Sequence, residues 1–95
     1  MKFPILLPNI FNHPFTYESD ISLKVGDYVV VPFGKSKITG VVWDEFEKKN
    51  NRHFKIKSVL KKLDVVPLKK TTIKFLNWFS EYNIIPKGMA LKLVL

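Results

Sequence analysis

Cysteine is absent from all 95 residues, so neither a disulfide framework nor a thiolate metal site can be built. That suits a reducing compartment, and the expected address is the cytoplasm. Histidine is nearly absent as well. His13 and His53 have no partner histidine or carboxylate at ligand spacing, so no metal or other cofactor is expected, and both read as loop residues. No apolar run approaches the roughly 20 residues that a membrane span needs. The opening Met-Lys-Phe-Pro-Ile-Leu-Leu-Pro is too short for a signal core and is followed by no small-residue cleavage site, so a secretory signal is rejected.

Catalytic patterns are missing too. Gly34-Lys35-Ser36 fails as a phosphate-cradling loop, because the glycine required five positions earlier is Val29. Ser19, Ser22, Ser36, Ser58 and Ser80 stand in no nucleophile context. Asp44, Glu45 and Glu47 fall in a polar, solvated stretch, where nothing would drive their pKa values apart for acid-base work. The chain is expected not to be an enzyme.

What the chain has is apolar residues and positive charge. At 46% hydrophobic and 14% aromatic it should fold, and 95 residues make one small domain over 1–95, β-rich through 1–66 and helical over 71–95. The net charge of +8 is unevenly spread. Residues 1–47 carry four bases against six acids, whereas residues 48–95 carry twelve bases against only Asp64 and Glu81. A cationic half of this kind suggests a polyanionic partner such as nucleic acid.

Along the chain, Phe3 to Leu7 reads as a first strand kept near a sheet edge by its prolines, and Phe15-Thr16-Tyr17 as a short β-prone piece after a loop. Ile21, Leu23 and Val25 alternate with Ser22 and Lys24, which predicts another strand ending at the turn Val25-Gly26-Asp27. Tyr28 to Val31 and Ile38 to Trp43 flank Pro32-Phe33-Gly34-Lys35-Ser36, a hairpin with a basic tip. Asp44 to Arg52 is read as a loop, and Phe54 to Leu63 as a strand bulged near Ser58, where the alternation slips. These pieces predict an α+β domain: a small, strongly bent antiparallel sheet or partly closed barrel with a C-terminal helix packed on it.

The helix is predicted over Thr71 to Tyr82, capped by Thr71 or Thr72. Ile73, Leu76 and Phe79, together with Phe75, Trp78 and Tyr82, form a broad apolar stripe at three- and four-residue spacing. Such a stripe is more often core than a platform for bases, so it is expected to pack on the sheet. Pro86 and Gly88 break the helix, and Met89 to Leu95 starts a second one.

The order of short motifs carries a resemblance. Leu6-Leu7-Pro8, Phe15-Thr16-Tyr17, Val25-Gly26-Asp27, Val31-Pro32-Phe33-Gly34-Lys35, Gly40-Val41-Val42, Lys57-Ser58-Val59-Leu60, Leu76-Asn77-Trp78 with Tyr82, and Pro86 with Gly88 follow one another. The series resembles the N-terminal 3′ DNA-binding domain of PriA, the bacterial replication-restart helicase also called primosomal protein N′. It extends over essentially the whole chain.

The resemblance implies a domain that captures, without regard to sequence, the 3′ end of a nascent leading strand at a stalled fork. The implied partners are single-stranded DNA at that end, the helicase remainder of the polypeptide and other primosome proteins, with no membrane. The implied end pocket comprises Phe15, Thr16, Tyr17, Gly34 and Lys57. Thr16 departs from the Asp that similar family members carry, so a hydroxyl replaces a charge there. Lys35, Lys37, Lys55 and Lys61 are candidates for weaker phosphate contacts. Two other readings stay open: a small basic β-barrel that binds structured RNA or the ribosome, and a protein-interaction domain that uses its apolar C-terminal tail.

Overall fold

The hairpin at the centre of the chain is the longest paired unit, and its turn explains its register. In the computed structural model, which describes residues 1–9, 13–46 and 56–95, strand β3 (Tyr28–Phe33) pairs antiparallel with β4 (Ser36–Val42) from Tyr28↔Val41 to Phe33↔Ser36. Only Gly34 and Lys35 remain unpaired, so the link is shorter than the five residues the sequence suggests. Gly34 takes φ +60° at the first loop position, the geometry of a II′ turn, whose twist matches that of the flanking strands.

The other strands extend this hairpin into a six-stranded sheet. β1 (Lys2–Leu6) lies antiparallel to both β4 and β2 (Phe15–Glu18). The predicted bulged strand is instead two short strands on opposite edges. β5 (Lys57–Ser58) pairs with β2, and β6 (Lys61–Lys62) pairs with β3, in the order β5-β2-β1-β4-β3-β6. The β2–β5 pairing is parallel and the rest are antiparallel, so the sheet is mixed. Phe54, counted into that strand from the sequence, lies outside the described residues.

Topology alone forces the sheet to curl. Its two edge strands are joined only by Val59 and Leu60, and two residues span less than about 10 Å. Their backbone amides divide between the edges: Val59 N–H donates to the Glu18 carbonyl at 2.8 Å and Leu60 N–H to the Val30 carbonyl at 2.8 Å. The alternation slips at Ser58 because the chain leaves one edge for the other. The result is the expected α+β architecture, a half-barrel carrying helices.

Ile21 to Val25 forms no strand. The Ser19 hydroxyl accepts from the Ile21 amide and donates to the Ile21 carbonyl, both at 3.0 Å, and Asp27 Oδ2 accepts from the Lys24 amide at 2.8 Å. Side chains thus satisfy the backbone locally, and the alternating pattern has no ladder to join. Leu23 alone of the three apolar residues is fully buried.

Because successive strand residues point to opposite faces, the sheet buries two separate clusters. Ile5, Leu7, Tyr17, Val29, Val31 and Val42 fill the inside of the curl. Leu6, Val41 and Trp43 face outward and are covered by α1 (Lys70–Asn83) and α2 (Lys87–Lys92) through Ile73, Leu76, Ala90 and Leu91. Helix α1 begins one residue before the threonines expected to cap it. Lys69 holds the cap position without a side-chain bond. At its other end Ile84 adopts φ 55° and its amide reaches the Ser80 carbonyl, while the Ser80 hydroxyl bonds the Ile85 carbonyl. α2 then approaches the β1 end so closely that a Cβ on Gly88 would lie 2.3 Å from the Asn9 carbonyl oxygen.

The predicted aromatic stripe does not pack as one. Ile73, Leu76 and Ser80 are buried, whereas Phe75, Trp78 and Tyr82 are exposed. A helix lying on a sheet covers only one side, and residues 75, 78 and 82 stand on the far side of the wheel from 73, 76 and 80.

Candidate nucleic-acid interface

The β2 strand sets the inner wall of the candidate site. Phe15 and Tyr17 alternate onto the inner face, and Thr16 faces the other way, half-buried. The Phe15 ring meets the Phe33 ring edge-on with centroids 5.4 Å apart, and the His13 ring lies tilted against Phe15 at 4.9 Å. Phe33 immediately precedes Gly34. A Cβ added to Gly34 would meet nothing within 4 Å, so the backbone there is open to an approaching group. Chain pleating therefore brings Phe15 beside the bare turn through Phe33.

Tyr17 ties β2 to β3 across the curl. The Tyr28 and Val30 carbonyls accept bonds from the β6 side, and the two-residue period turns the Pro32 carbonyl the same way. Beyond the end of β6, Pro32 receives the Tyr17 hydroxyl instead, at 2.8 Å. Pro32 has no N–H to lose on that side, which explains a proline inside a strand. Burial raises the Tyr17 phenol above its ordinary pKa of 10.0, which keeps it a neutral donor.

Lys57 stands in parallel register with Tyr17, with backbones about 4.8 Å apart, and is exposed. Lys35 lies at the turn, Lys37 is paired with Pro32 and Lys61 with Val30, all exposed. Lys55 lies outside the described residues. Phe15 thus meets Phe33 next to Gly34, Tyr17 reaches Pro32 across the curl, Lys57 is in backbone register with Tyr17, and Thr16 faces away from Phe15 and Tyr17. Sequence reasoning missed Phe33 and His13 as ring neighbours of Phe15. The period through Val29, Val31 and Phe33 could have placed Phe33 on the inner face. His13 offered no comparable signal, because the sequence before it shows no period.

Among the described residues no group of three or more histidine or acidic side chains could hold a metal ion, and no helix is long and apolar enough to cross a membrane. The arrangement offers half-buried rings, an open backbone turn and exposed lysines, the components for stacking a base and neutralising a phosphate.

Residues 4–95 match the family model described as the 3′DNA-binding domain (3′BD). Among curated proteins, the replication restart protein PriA of Rickettsia conorii is 33% identical over 94 residues, and that of Rickettsia typhi 32% over 94. Each alignment takes in 96% of this chain and 14% of the relative. The replication restart protein PriA of Haemophilus influenzae is 37% identical over 62 residues, 65% of this chain and 8% of that protein. The chain therefore spans about one-seventh of the length of the Rickettsia relatives. With the family model matched from the first strand to the last residue, the chain belongs to the 3′ DNA-binding domain family of PriA.

Proposed function

We propose that the domain captures the 3′ end of a single DNA strand without reading its sequence. It would serve as the end-sensing module of a replication-restart helicase in the bacterial cytoplasm. Its substrate would be the nascent leading strand at a stalled fork, and its partners the helicase remainder of the polypeptide and other primosome proteins. The observation that carries the reading is the meeting of Phe15 with Phe33 beside the bare Gly34 turn, with Lys57 in register with Tyr17, two residues along β2 from Phe15.

Each part then has a task. The terminal base stacks on an aromatic ring, a contact tolerant of sequence because every base has a π-face. Gly34 admits the sugar close to backbone. Lys57 neutralises the last phosphate, with Lys35, Lys37 and Lys61 along the approach, and such contacts position a strand without specifying bases. Selection for an end requires that the floor of the site be closed, so that a continuing strand would clash.

Fluorescence anisotropy with a short single strand tests the reading. A 3′-phosphate should weaken binding more than a 5′-phosphate does, and Lys57→Ala should lower affinity while reducing the log-log salt slope by about 0.7. Equal effects at both ends would leave only generic electrostatic attraction.

A further inference from the structure

The outward side of α1 carries a row of exposed rings, which touches the core where Phe75 stacks on Phe79 at 5.8 Å. Phe75, Trp78 and Tyr82 are 52%, 55% and 74% exposed. They are ordered against one another: Phe75 and Trp78 have centroids 6.0 Å apart, and Trp78 and Tyr82 stack at 5.2 Å with planes 14° apart. Alanine, glutamate or lysine would serve an exposed helix better than these three residues.

The charges beside the rings point to what covers them. Lys70 and Lys74 lie eight and four residues before Trp78, on the adjoining strip of the same exposed side. Glu81 is the helix's single acid, and the first turn has none. Lys70 in that first turn opposes the helix dipole, which favours acids at this end, so stability does not account for it. The rings are bordered by Lys70 and Lys74 along their first half and by Glu81 beside Tyr82, a strip of net positive charge that complements a single-stranded polyanion.

We propose that this face of α1 is a second binding surface for single-stranded DNA, separate from the strand-end site and needing no end. Bases stack on Trp78 and Tyr82, with Phe75 continuing the row, and phosphates lie along Lys70 and Lys74. From Phe75 to Tyr82 the helix rises about 10 Å, the length of roughly three stacked nucleotides. The surface stands on the outer side of the sheet, because α1 packs on Leu6, Val41 and Trp43 rather than on the inner cluster that holds Phe15 and Tyr17. Its existence does not depend on end capture.

Circular single-stranded DNA tests this, since a circle has no 3′ end and leaves the end site idle. Trp43 is 1% exposed and Trp78 55%, so quenching of the red-edge tryptophan emission reports Trp78. Addition of the circle should quench that emission, and Trp78→Ala combined with Tyr82→Ala should weaken binding to the circle about ten-fold or more. The same pair should leave the ratio between 3′-hydroxyl and 3′-phosphate strands unchanged. Lys74→Glu, which keeps the rings, should also weaken the circle complex. Circle binding without quenching, or with affinity unaltered in the ring variant, overturns the proposal. Self-association that the ring variant abolishes while DNA affinity stays the same overturns it in favour of a protein contact.

Discussion

The two faces of the curled sheet solve the same problem differently. The inner cluster is closed by backbone: one short segment, Lys57 to Lys62, bonds to both edges and draws the strands around Ile5, Leu7 and Val29. The outer cluster is closed by side chains, with Ile73, Leu76 and Leu91 of two helices laid over Leu6, Val41 and Trp43. A seam closed by backbone leaves an open rim, and the candidate end site stands on it with its rings half-buried. A helical lid has a second side, and there the rings face solvent. Aromatic content alone therefore says little about binding; which closure a ring belongs to decides whether it is wall, core or surface.

The sharpest way to break this contrast lies within two residues of one helix. Leu76 is 2% exposed and points into the outer cluster; Trp78 is 55% exposed and does not. Leu76→Ala should lower unfolding free energy by about 2 to 5 kcal/mol, from lost burial and the cavity left behind. Trp78→Ala should change it by no more than about 1 kcal/mol, although it removes the larger side chain. Urea denaturation measures both. If Trp78→Ala proved the costlier change, the outward rings would be core after all, and the helix would be rotated from its described setting.

That rotation is also what the sequence could not supply. Alternation over Val29 and Val31 and the Pro-Phe-Gly turn made the hairpin legible, because strand periodicity and turn chemistry are local. The resemblance of the short motifs nominated Phe15, Thr16, Tyr17, Gly34 and Lys57 as a candidate set, which is what the proposed end-capture assays address. The helix itself was legible, but apolar residues lie on more than half its circumference, and no local rule says which arc meets the sheet. Ile21, Leu23 and Val25 misled for the converse reason: the alternation is real, yet Ser19 and Asp27 absorb the backbone bonds that a strand would need. The splitting of Lys57 to Lys62 between two edges depends on sheet closure, which is a property of the whole chain.

A smaller effect separates the lid from the sheet beneath it. Trp43 is buried, and its indole N–H donates to Asn77 Oδ1 at 3.0 Å, while the Asn77 amide reaches toward Asp44 at 3.3 Å. Asn77→Leu removes the acceptor and leaves a buried donor unpaired, at a cost of about 1 to 3 kcal/mol. The emission of the Trp43 band should shift as the indole seeks water. A stability unchanged within about 0.5 kcal/mol would mean that packing alone seats α1.

The seam should respond more weakly, and with a different dependence on pH. Tyr17→Phe deletes the bond to the Pro32 carbonyl and should cost about 0.5 to 1.5 kcal/mol near neutral pH. In the parent protein burial raises the phenol's pKa above 10.0, so the folded state favours the neutral form more than the unfolded state does. The contribution of this group is thus complete below pH 10 and is lost as pH climbs toward the raised folded value. The informative quantity is the difference between the two proteins. The stability gap between parent and Tyr17→Phe should stay constant from pH 7 to 9 and narrow above pH 10. A gap that holds its width into strong alkali would place the phenolate in contact with water, and the seam would then be open where β2 and β3 are described as joined.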